Sequence, residues 1–241
     1  MKTGRLLKST ELPRFRTIID DYHPDPMVLS IFAKSDFSII AGPSGAGKDS
    51  LRNNLIKLYP SEYAPVLSST TRPMREGETD SIDYHFLSPE IMETKLLKGE
   101  FFQVALVHNQ QISSLHINEI TKLRDGQIGL SILIVQTETE LAAIKRDIRT
   151  IFIIPPSLEE LRNRLGGDQQ LSDDEVERRM KASKSEMITA LERRDYYCLV
   201  NDKLDRVTEL THEFLQKGHR DNYSDIHARN TIQSILNKLS I

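Results

Sequence analysis

A short glycine-rich stretch, GPSGAGKDS, begins at Gly42 and constrains the fold more than any other part of the sequence. Gly42, Gly47 and Lys48 satisfy the spacing G-x-x-x-x-G-K. In such a loop the glycines let backbone N–H groups point at phosphate oxygens, and the lysine reaches the terminal phosphates. The apolar run at residues 36–41 predicts a buried strand before the loop, and leucine spacing at residues 48–58 predicts a helix after it. Together these elements predict a nucleoside triphosphate site.

The residue after the lysine departs from the usual loop, where a Ser or Thr hydroxyl binds Mg²⁺. Asp49 stands there, so either its carboxylate ligates the metal or it points away and Ser50 supplies the hydroxyl. We expect Ser50 to be the metal ligand. An acid beside a polyanion also weakens binding unless the metal or an arginine offsets its charge. The residues expected to bind ATP are Gly42, Pro43, Ser44, Gly45, Ala46, Gly47, Lys48, Asp49 and Ser50.

Strand and helix patterns alternate along the rest of the chain, which predicts an α/β fold with a parallel sheet and helices on both faces. The predicted strands are residues 63–71, 101–107, 129–135, 150–154 and 197–200. A loop is expected over residues 72–83. The apolar stripe Ile232, Ile235, Leu236 and Leu239 predicts a C-terminal helix that packs on the core. We expect residues 1–35 to be an extension that packs on the domain or stays mobile.

Composition narrows the classes of function. The 241 residues carry a net charge of −3, which gives no basic excess for nucleic-acid binding. The longest apolar run, residues 128–135, is too short to cross a membrane. The single cysteine, Cys198, excludes a disulfide framework and favours a cytoplasmic protein. No His or Cys spacing is typical of a metal cluster, so Mg²⁺ is expected only with the nucleotide.

A second motif, SSTTRPMREGETDSIDYHF, begins at Ser68. It resembles the nucleoside-monophosphate-binding segment of guanylate kinases, whose pattern is S-x-T-T-R-x-x-R-x-G-E followed by D-Y-x-F. Two arginines three residues apart suit bidentate recognition of a phosphate dianion. The resemblance continues at IIPPSLEELRNRL, from Ile153, and at LVND, from Leu199. It covers roughly residues 36–216.

The resemblance implies a P-loop kinase with a three-layer core, an inserted acceptor-binding subdomain and a short lid. The core would comprise residues 36–66, 125–157 and 181–216, the subdomain 67–124 and the lid 158–180, with a C-terminal helical extension at 217–241. It implies that Ser68, Arg72, Arg75 and Tyr84 hold the acceptor's phosphate. It also implies that Lys48, Arg72, Arg164 and Arg179 are catalytic.

The chain departs from the family pattern at the positions that read the base. Gln103 stands where guanylate kinases have a glutamate, and Ser114 is expected to retain a hydroxyl contact with the acceptor. The central strand reads LSILIV from Leu130, without the acids of the family. In the lid, Asp168 stands where the family has an arginine. These departures remove base-reading and charge-neutralising groups but leave the phosphate-binding ones.

The resemblance implies ATP- and Mg²⁺-dependent phosphorylation of a nucleoside monophosphate, with GMP or dGMP as the acceptor. One alternative is a kinase of another phosphorylated acceptor such as ribose 1,5-bisphosphate, since those related kinases often have the G-K-D-S stretch found from Gly47. The other is a non-catalytic guanylate kinase-like module, favoured by the losses in the strand and lid but not by the intact phosphate loop. The sequence leaves the oligomeric state open.

Overall fold

The computed structural model describes residues 4–107, 110–167 and 173–239. Within them the helices are α1 (Leu12–Asp20), α2 (Pro26–Lys34), α3 (Lys48–Leu58), α4 (Pro89–Leu97), α5 (Ile117–Thr121), α6 (Val135–Ile144), α7 (Leu158–Gly167), α8 (Asp173–Glu192), α9 (Leu204–Lys217) and α10 (Asn222–Leu239). The strands are β1 (Phe37–Ala41), β2 (Tyr63–Pro65), β3 (Ser68–Thr70), β4 (His85–Phe86), β5 (Phe101–Val107), β6 (Gln111–His116), β7 (Ile128–Ile132), β8 (Arg149–Ile154) and β9 (Tyr197–Val200).

The chain forms two compact units. The first comprises Met1–Asp36, Ala64–Ser131 and Thr139–Asp147, and the second Phe37–Tyr63, Ile132–Glu138 and Ile148–Ile241. The phosphate loop therefore belongs to the second unit, and the segment that begins at Ser68 belongs to the first.

Parallel strands form the centre of the second unit. β8 pairs in parallel with β1 on one side, where Ile40 lies opposite Ile151, and with β9 on the other, where Ile151 lies opposite Tyr197. The residues of β1 and β9 are all buried, as expected for strands covered on both faces. Helix α10 packs on β9 and α8. Its residues Ile232, Ile235 and Leu236 are buried, which confirms the predicted core-facing stripe.

The first unit contains a four-stranded sheet in the order β4-β3-β6-β5. β3 pairs in parallel with β4 and antiparallel with β6, and β6 pairs antiparallel with β5. The register of β5 against β6 shifts between Phe101 and Gln103, which marks a bulge. One face of the sheet covers an apolar cluster that includes Leu87, Met92 and Ile112.

Helices α1 and α2 also lie in the first unit. The Tyr22 hydroxyl donates to the carbonyl oxygen of Phe101 at 2.6 Å and accepts from its backbone N–H at 2.9 Å. The ring of Phe32 stacks on that of Phe102 with a centroid separation of 4.3 Å. Gly4 packs against the backbone of Arg72, since a Cβ at Gly4 would lie 2.2 Å from the carbonyl oxygen. The described part of the N-terminal extension therefore packs on the domain.

Three element predictions differ from the structure. The strand expected over residues 63–71 is two short strands, because Pro65 cannot donate to a strand ladder and ends β2. The strand expected to reach residue 135 ends at Ile132, and Val135 begins α6. Strand β6 was not predicted, since its sequence QISSLH is mostly polar and lacks a clear apolar alternation.

Candidate active site

The phosphate loop joins β1 to α3, as predicted. Gly42 has a φ of 138°, and a Cβ there would lie 2.2 Å from the carbonyl oxygen of Ile153 on β8. Gly47 has a φ of 90° and precedes the first turn of α3. Both positions thus require glycine for their backbone conformation, and Gly42 also for the close approach of β8.

Asn201, which follows β9, forms a hydrogen bond to this loop. Its Nδ2 donates to the carbonyl oxygen of Ala46 at 2.7 Å, and its backbone N–H donates to that of Ile154 at 2.8 Å. A Cβ at Gly47 would lie 2.4 Å from the same Nδ2. The motif LVND included this residue but predicted no role for it. In the structure, its hydrogen bond to Ala46 stabilises the conformation of the loop.

Lys48 extends along the loop that it follows. Its ammonium donates to the carbonyl oxygen of Gly42 at 2.6 Å and to that of Pro43 at 2.9 Å. Burial lowers the pKa of Lys48, and the charges of Glu186 and Asp49 partly oppose this effect. The ammonium therefore lies among the backbone groups that form a phosphate cradle.

Asp49 points away from the loop. Its carboxylate is largely exposed and lies 3.3 Å from the buried guanidinium of Arg52, one helical turn later. Arg52 therefore offsets the negative charge of Asp49, which would otherwise weaken the binding of a polyanion. An arginine or the metal ion was expected to have this effect. Ser50 is exposed in the first turn of α3 and leaves its hydroxyl accessible.

These residues fit Mg²⁺ that arrives with a nucleotide, because Mg²⁺ keeps several waters and takes few protein ligands. The fit rests on Ser50 rather than Asp49, whose carboxylate is engaged by Arg52. No group of three or more His, Cys, Asp or Glu side chains in the described part of the chain is arranged to hold a metal ion. The phosphates would therefore supply the remaining ligands.

Two arginines contact the phosphate loop from the helices that follow β8. Arg164 on α7 is held by Glu160 at 2.6 Å, donates to the carbonyl oxygen of Asn201 at 3.3 Å and packs against Gly45. Arg179 on α8 donates to the hydroxyl of Ser44 at 3.4 Å. The structure thus brings both predicted lid arginines to the loop. Asp168, the predicted departure in the lid, lies outside the described residues.

The acceptor segment contains a pre-oriented arginine. Arg72 is buried and donates to both carboxylate oxygens of Glu78 at 2.6 Å each. Its guanidinium lies over the ring of Tyr84 at 4.8 Å and over that of Phe86 at 5.3 Å. Burial would raise the pKa of Glu78, but the bonds from Arg72 and from the Arg75 N–H hold it below its usual value. This pair keeps the arginine side chain in one orientation.

The two faces of the four-stranded sheet separate the predicted acceptor residues. Ser114 is fully buried, and its hydroxyl donates to the sulfur of Met92 in the apolar cluster. Side chains alternate along a strand, so Ser113 points to the other face. Gln103 lies opposite Leu115, and Ser68 lies opposite the same residue from β3.

Strand partners that lie opposite each other share a face, so Ser68, Gln103 and Ser113 lie on the face that is turned away from the cluster. The Ser114 hydroxyl, which was expected to contact the acceptor, therefore lies on the opposite face of the sheet from Ser68 and Gln103. The hydroxyl on their face belongs to Ser113. No alternation in QISSLH indicates this face, so only the strand pairing assigns it.

Gln103 is buried, and its amide nitrogen has no hydrogen-bond partner within the described residues. The amide nevertheless acts on the carboxylate of Glu140 on α6: burial raises the pKa of Glu140, and the Gln103 amide partly opposes this effect. Gln103 thus places an amide, in contrast to a carboxylate, at this position.

Strand β7, which lacks the acids of the family pattern, carries a serine that is hydrogen-bonded within the protein. Ser131 is fully buried, and its hydroxyl donates to the carbonyl oxygen of Val66 at 3.0 Å. In the second unit, the nearby acid Glu138 is buried and pairs with Arg193 at 2.8 Å and with the hydroxyl of Tyr196 at 2.7 Å. These polar groups are satisfied by partners within the protein.

Among the described residues, no helix combines the length and hydrophobicity that a membrane span requires.

Comparisons with known proteins agree with this geometry. Residues 34–218 match the family model described as Guanylate kinase. A guanylate kinase of Syntrophotalea carbinolica is 36% identical over 171 residues, which is 71% of this chain and 80% of that protein. A guanylate kinase of Idiomarina loihiensis is 33% identical over 200 residues, which is 82% of this chain and 94% of that protein.

A solved structure shows the same fold. The crystal structure of guanylate kinase from Anaplasma phagocytophilum superposes with a TM-score of 0.57 at 24% identity, covering 83% of this chain and 96% of that one. Because the family model spans well over half of the chain and the two relatives exceed 30% identity, the chain belongs to the guanylate kinase family of kinases.

Proposed function

We propose that the protein transfers the γ-phosphoryl group of ATP to the phosphate of GMP or dGMP, which yields GDP or dGDP. The observation that carries the proposal is that Lys48, Arg164 and Arg179 all contact one phosphate loop. Relatives named guanylate kinase support GMP as the acceptor.

Phosphoryl transfer needs positioning and charge neutralisation more than covalent chemistry from the protein. Lys48 and the two arginines supply three positive charges around the transferring group, where each donor lowers the barrier. The acceptor phosphate is already a nucleophile at neutral pH, so the direct in-line transfer that we propose needs no strong base.

The acceptor's phosphate would bind to Arg72, Arg75, Tyr84 and Ser68. Arg72 suits this role because Glu78 and two aromatic rings fix its guanidinium before any ligand binds. A fixed planar donor loses little entropy when it forms charge-assisted bonds to a phosphate. Arg75 lies exposed on the same loop and adds a second positive charge.

Ser50 would hold Mg²⁺ together with the phosphates. The metal ion, when bound, would supply positive charge that neutralises the phosphates. The residues of this chain orient the nucleotide through the loop N–H groups and the ammonium of Lys48.

Gln103 and Ser113 would face the base. A glutamine offers one acceptor and one donor group, whereas guanine presents two adjacent donors at N1 and N2. We therefore expect weaker selection of guanine than a carboxylate would achieve.

A coupled ADP-release assay tests the proposal. Purified protein with ATP and Mg²⁺ is given GMP, dGMP, AMP, UMP or ribose 1,5-bisphosphate. We expect turnover with GMP and dGMP and a loss of at least about a hundredfold in Lys48→Ala, the scale of one lost transition-state donor. Lys57→Ala, exposed at the end of the same helix, is the matched control and retains activity.

Other outcomes separate the alternatives. Turnover with ribose 1,5-bisphosphate alone would replace the nucleotide acceptor by a sugar phosphate, as the G-K-D-S stretch suggests. Absence of turnover with every acceptor, together with binding of GMP or a phosphopeptide, would identify a non-catalytic module.

A further inference from the structure

The N-terminal extension lies against the backbone of Arg72, and the proposed mechanism does not use this contact. A Cβ at Gly4 would lie 2.2 Å from the carbonyl oxygen of Arg72 and 3.1 Å from that of Thr71. The first distance leaves no room for a side chain, so only glycine allows the two backbones to approach this closely.

Contacts of the residues after Gly4 anchor the extension. The guanidinium of Arg5 donates to both carboxylate oxygens of Glu11 at 2.7 Å each, and to the carboxylate of Glu90 on α4 at 2.8 Å. Glu11 also accepts from the backbone N–H of Lys8 at 2.8 Å. Gly4 therefore directly precedes a residue that is tied to the first unit.

Leu7 links the same segment to β6, the strand that pairs with β3. Its backbone N–H donates to the carbonyl oxygen of Gln110 at 2.8 Å, and its side chain is buried in the apolar cluster that contains Ile112. The N–H of Thr71 donates to the Ile112 carbonyl oxygen at 3.1 Å, and the Thr71 hydroxyl accepts from the Ile112 N–H at 2.9 Å. The extension and the residue before Arg72 thus share one support.

The main chain of Arg72 lies beyond the end of a strand. β3 ends at Thr70, and Pro73 has no backbone N–H to donate. The N–H of Arg72 forms a long bond of 3.4 Å to the hydroxyl of Thr70. The bonds to Glu78 fix the guanidinium, but they do not fix the backbone from which it extends. The contact with Gly4 acts on that backbone.

We propose that Gly4 is a positioning residue for the acceptor site: its close contact fixes the main chain of Arg72, so that the guanidinium is presented to the acceptor's phosphate. The inference rests on the role of Arg72 proposed above. The family match begins at residue 34, so the inference adds to acceptor binding a segment that lies outside the matched range.

Preorganisation connects this contact to affinity. The guanidinium is a planar fork, so a shift of its backbone moves all of its donors away from the phosphate oxygens together. Holding the fork in place before binding reduces the entropy that binding costs. A misplacement of about 1 Å can cost about a hundredfold. For the smaller shift caused by one added methyl group we expect about tenfold.

Isothermal titration calorimetry of GMP and, separately, of ATP with Mg²⁺ tests the inference in wild type and in Gly4→Ala. The added Cβ meets backbone atoms, so no change of rotamer relieves the clash. The Kd for GMP should rise about tenfold, while the Kd for ATP should stay within about twofold. Ser9→Ala, at an exposed position of the same extension, is the control and should follow wild type.

A double-mutant cycle with Arg72→Lys distinguishes positioning from a general structural role. Lysine keeps the positive charge but lacks the fork that requires orientation. Gly4→Ala should therefore weaken GMP binding by less than about twofold in the Arg72→Lys background. An equal loss in both backgrounds, or an equal loss of GMP and ATP affinity, would overturn the inference.

Arg5→Ala provides a second variant that leaves Gly4 in place but removes its anchor. The Kd for GMP should rise about threefold, because exposed ion pairs are weak, and Arg5→Lys should recover part of the loss. Arg16→Ala, exposed on α1, makes the same charge change and is the control. Urea unfolding establishes that each variant folds. If Gly4→Ala does not fold, unchanged GMP affinity in Arg5→Ala refutes the inference.

The same titrations separate this inference from the proposed function. If wild type does not bind GMP, the acceptor site itself is refuted. If wild type binds GMP and Arg72→Lys weakens the binding, but Gly4→Ala binds GMP as tightly as wild type, only the role of Gly4 is refuted.

Discussion

At the scale of a single residue, Asp49 shows how a neighbouring side chain changes the electrostatic effect expected from a motif. Read along the sequence, it is an acid beside a triphosphate. In the structure its exposed carboxylate lies 3.3 Å from Arg52, one helical turn later. The pair offsets the unfavourable charge and leaves Ser50 as the accessible hydroxyl of this turn.

Gln103 carries the prediction at this scale. Its buried side-chain amide lies at the position where guanylate kinases have a glutamate. Gln103→Glu replaces that donor by an acceptor for the N1 and N2 donors of guanine. We expect the KM for GMP to fall about tenfold, which corresponds to roughly 1.4 kcal/mol, within the range of one charge-assisted hydrogen bond.

Steady-state kinetics with GMP and AMP measure this effect. Gln110→Glu makes the same charge change at an exposed position in the same unit and should leave the KM for GMP unchanged. An increase in the KM for GMP in Gln103→Glu would show that Gln103 does not face guanine. The control also accounts for any effect of the added negative charge.

At the scale of an element, the start of β5 depends on the N-terminal helices. One hydroxyl, that of Tyr22, satisfies both backbone groups of Phe101, next to the bulge before Gln103. Burial raises the pKa of Tyr22 to about 12, consistent with a phenol that is held in its neutral form. The N-terminal extension therefore helps to fix the strand that presents Gln103.

Tyr22→Phe tests this role of the extension. The substitution removes one hydroxyl and leaves two buried backbone groups without their partner. The free energy of unfolding should fall by about 1–3 kcal/mol, as is typical for a lost buried hydrogen-bond partner. Urea denaturation measures the change, and Tyr223→Phe, an exposed tyrosine, is the control. Equal stability of the two variants would show that the hydroxyl of Tyr22 does not stabilise β5.

At the scale of the whole molecule, the residues proposed to bind the donor lie in one compact unit, and those proposed to bind the acceptor lie in the other. Lys48, Arg164 and Arg179 belong to the second unit, and Arg72 and Arg75 to the first. A ligand at 100 times its dissociation constant stabilises a fold by about 2.7 kcal/mol. Each ligand should therefore raise the melting temperature through its own set of residues.

Thermal unfolding with ATP or GMP tests this division. Lys48→Ala should lose the stabilisation by ATP and keep that by GMP, and Arg75→Ala should show the reverse. Arg75 suits the test because it is exposed on a loop and its removal should preserve the fold. Loss of both ligand effects in either variant would contradict separate binding by the two sets of residues.

The sequence by itself determined the parts of this protein whose functional or apolar residues lie close together along the chain. The phosphate loop between β1 and α3, the loop with Arg72 and Arg75, and the buried strands β8 and β9 all follow from local spacing. A tight turn, a helical turn or an apolar strand depends on residues a few positions apart, so its pattern is visible in the sequence.

Only the tertiary structure decided which residues, distant in the sequence, contact those stretches. Asn201 reaches Ala46 across 155 positions, and Tyr22 reaches Phe101 across 79. Strand register placed Ser113, rather than Ser114, on the face of Ser68 and Gln103. Such pairings depend on how elements pack and align, and a one-residue change of register moves every side chain of a strand to the opposite face.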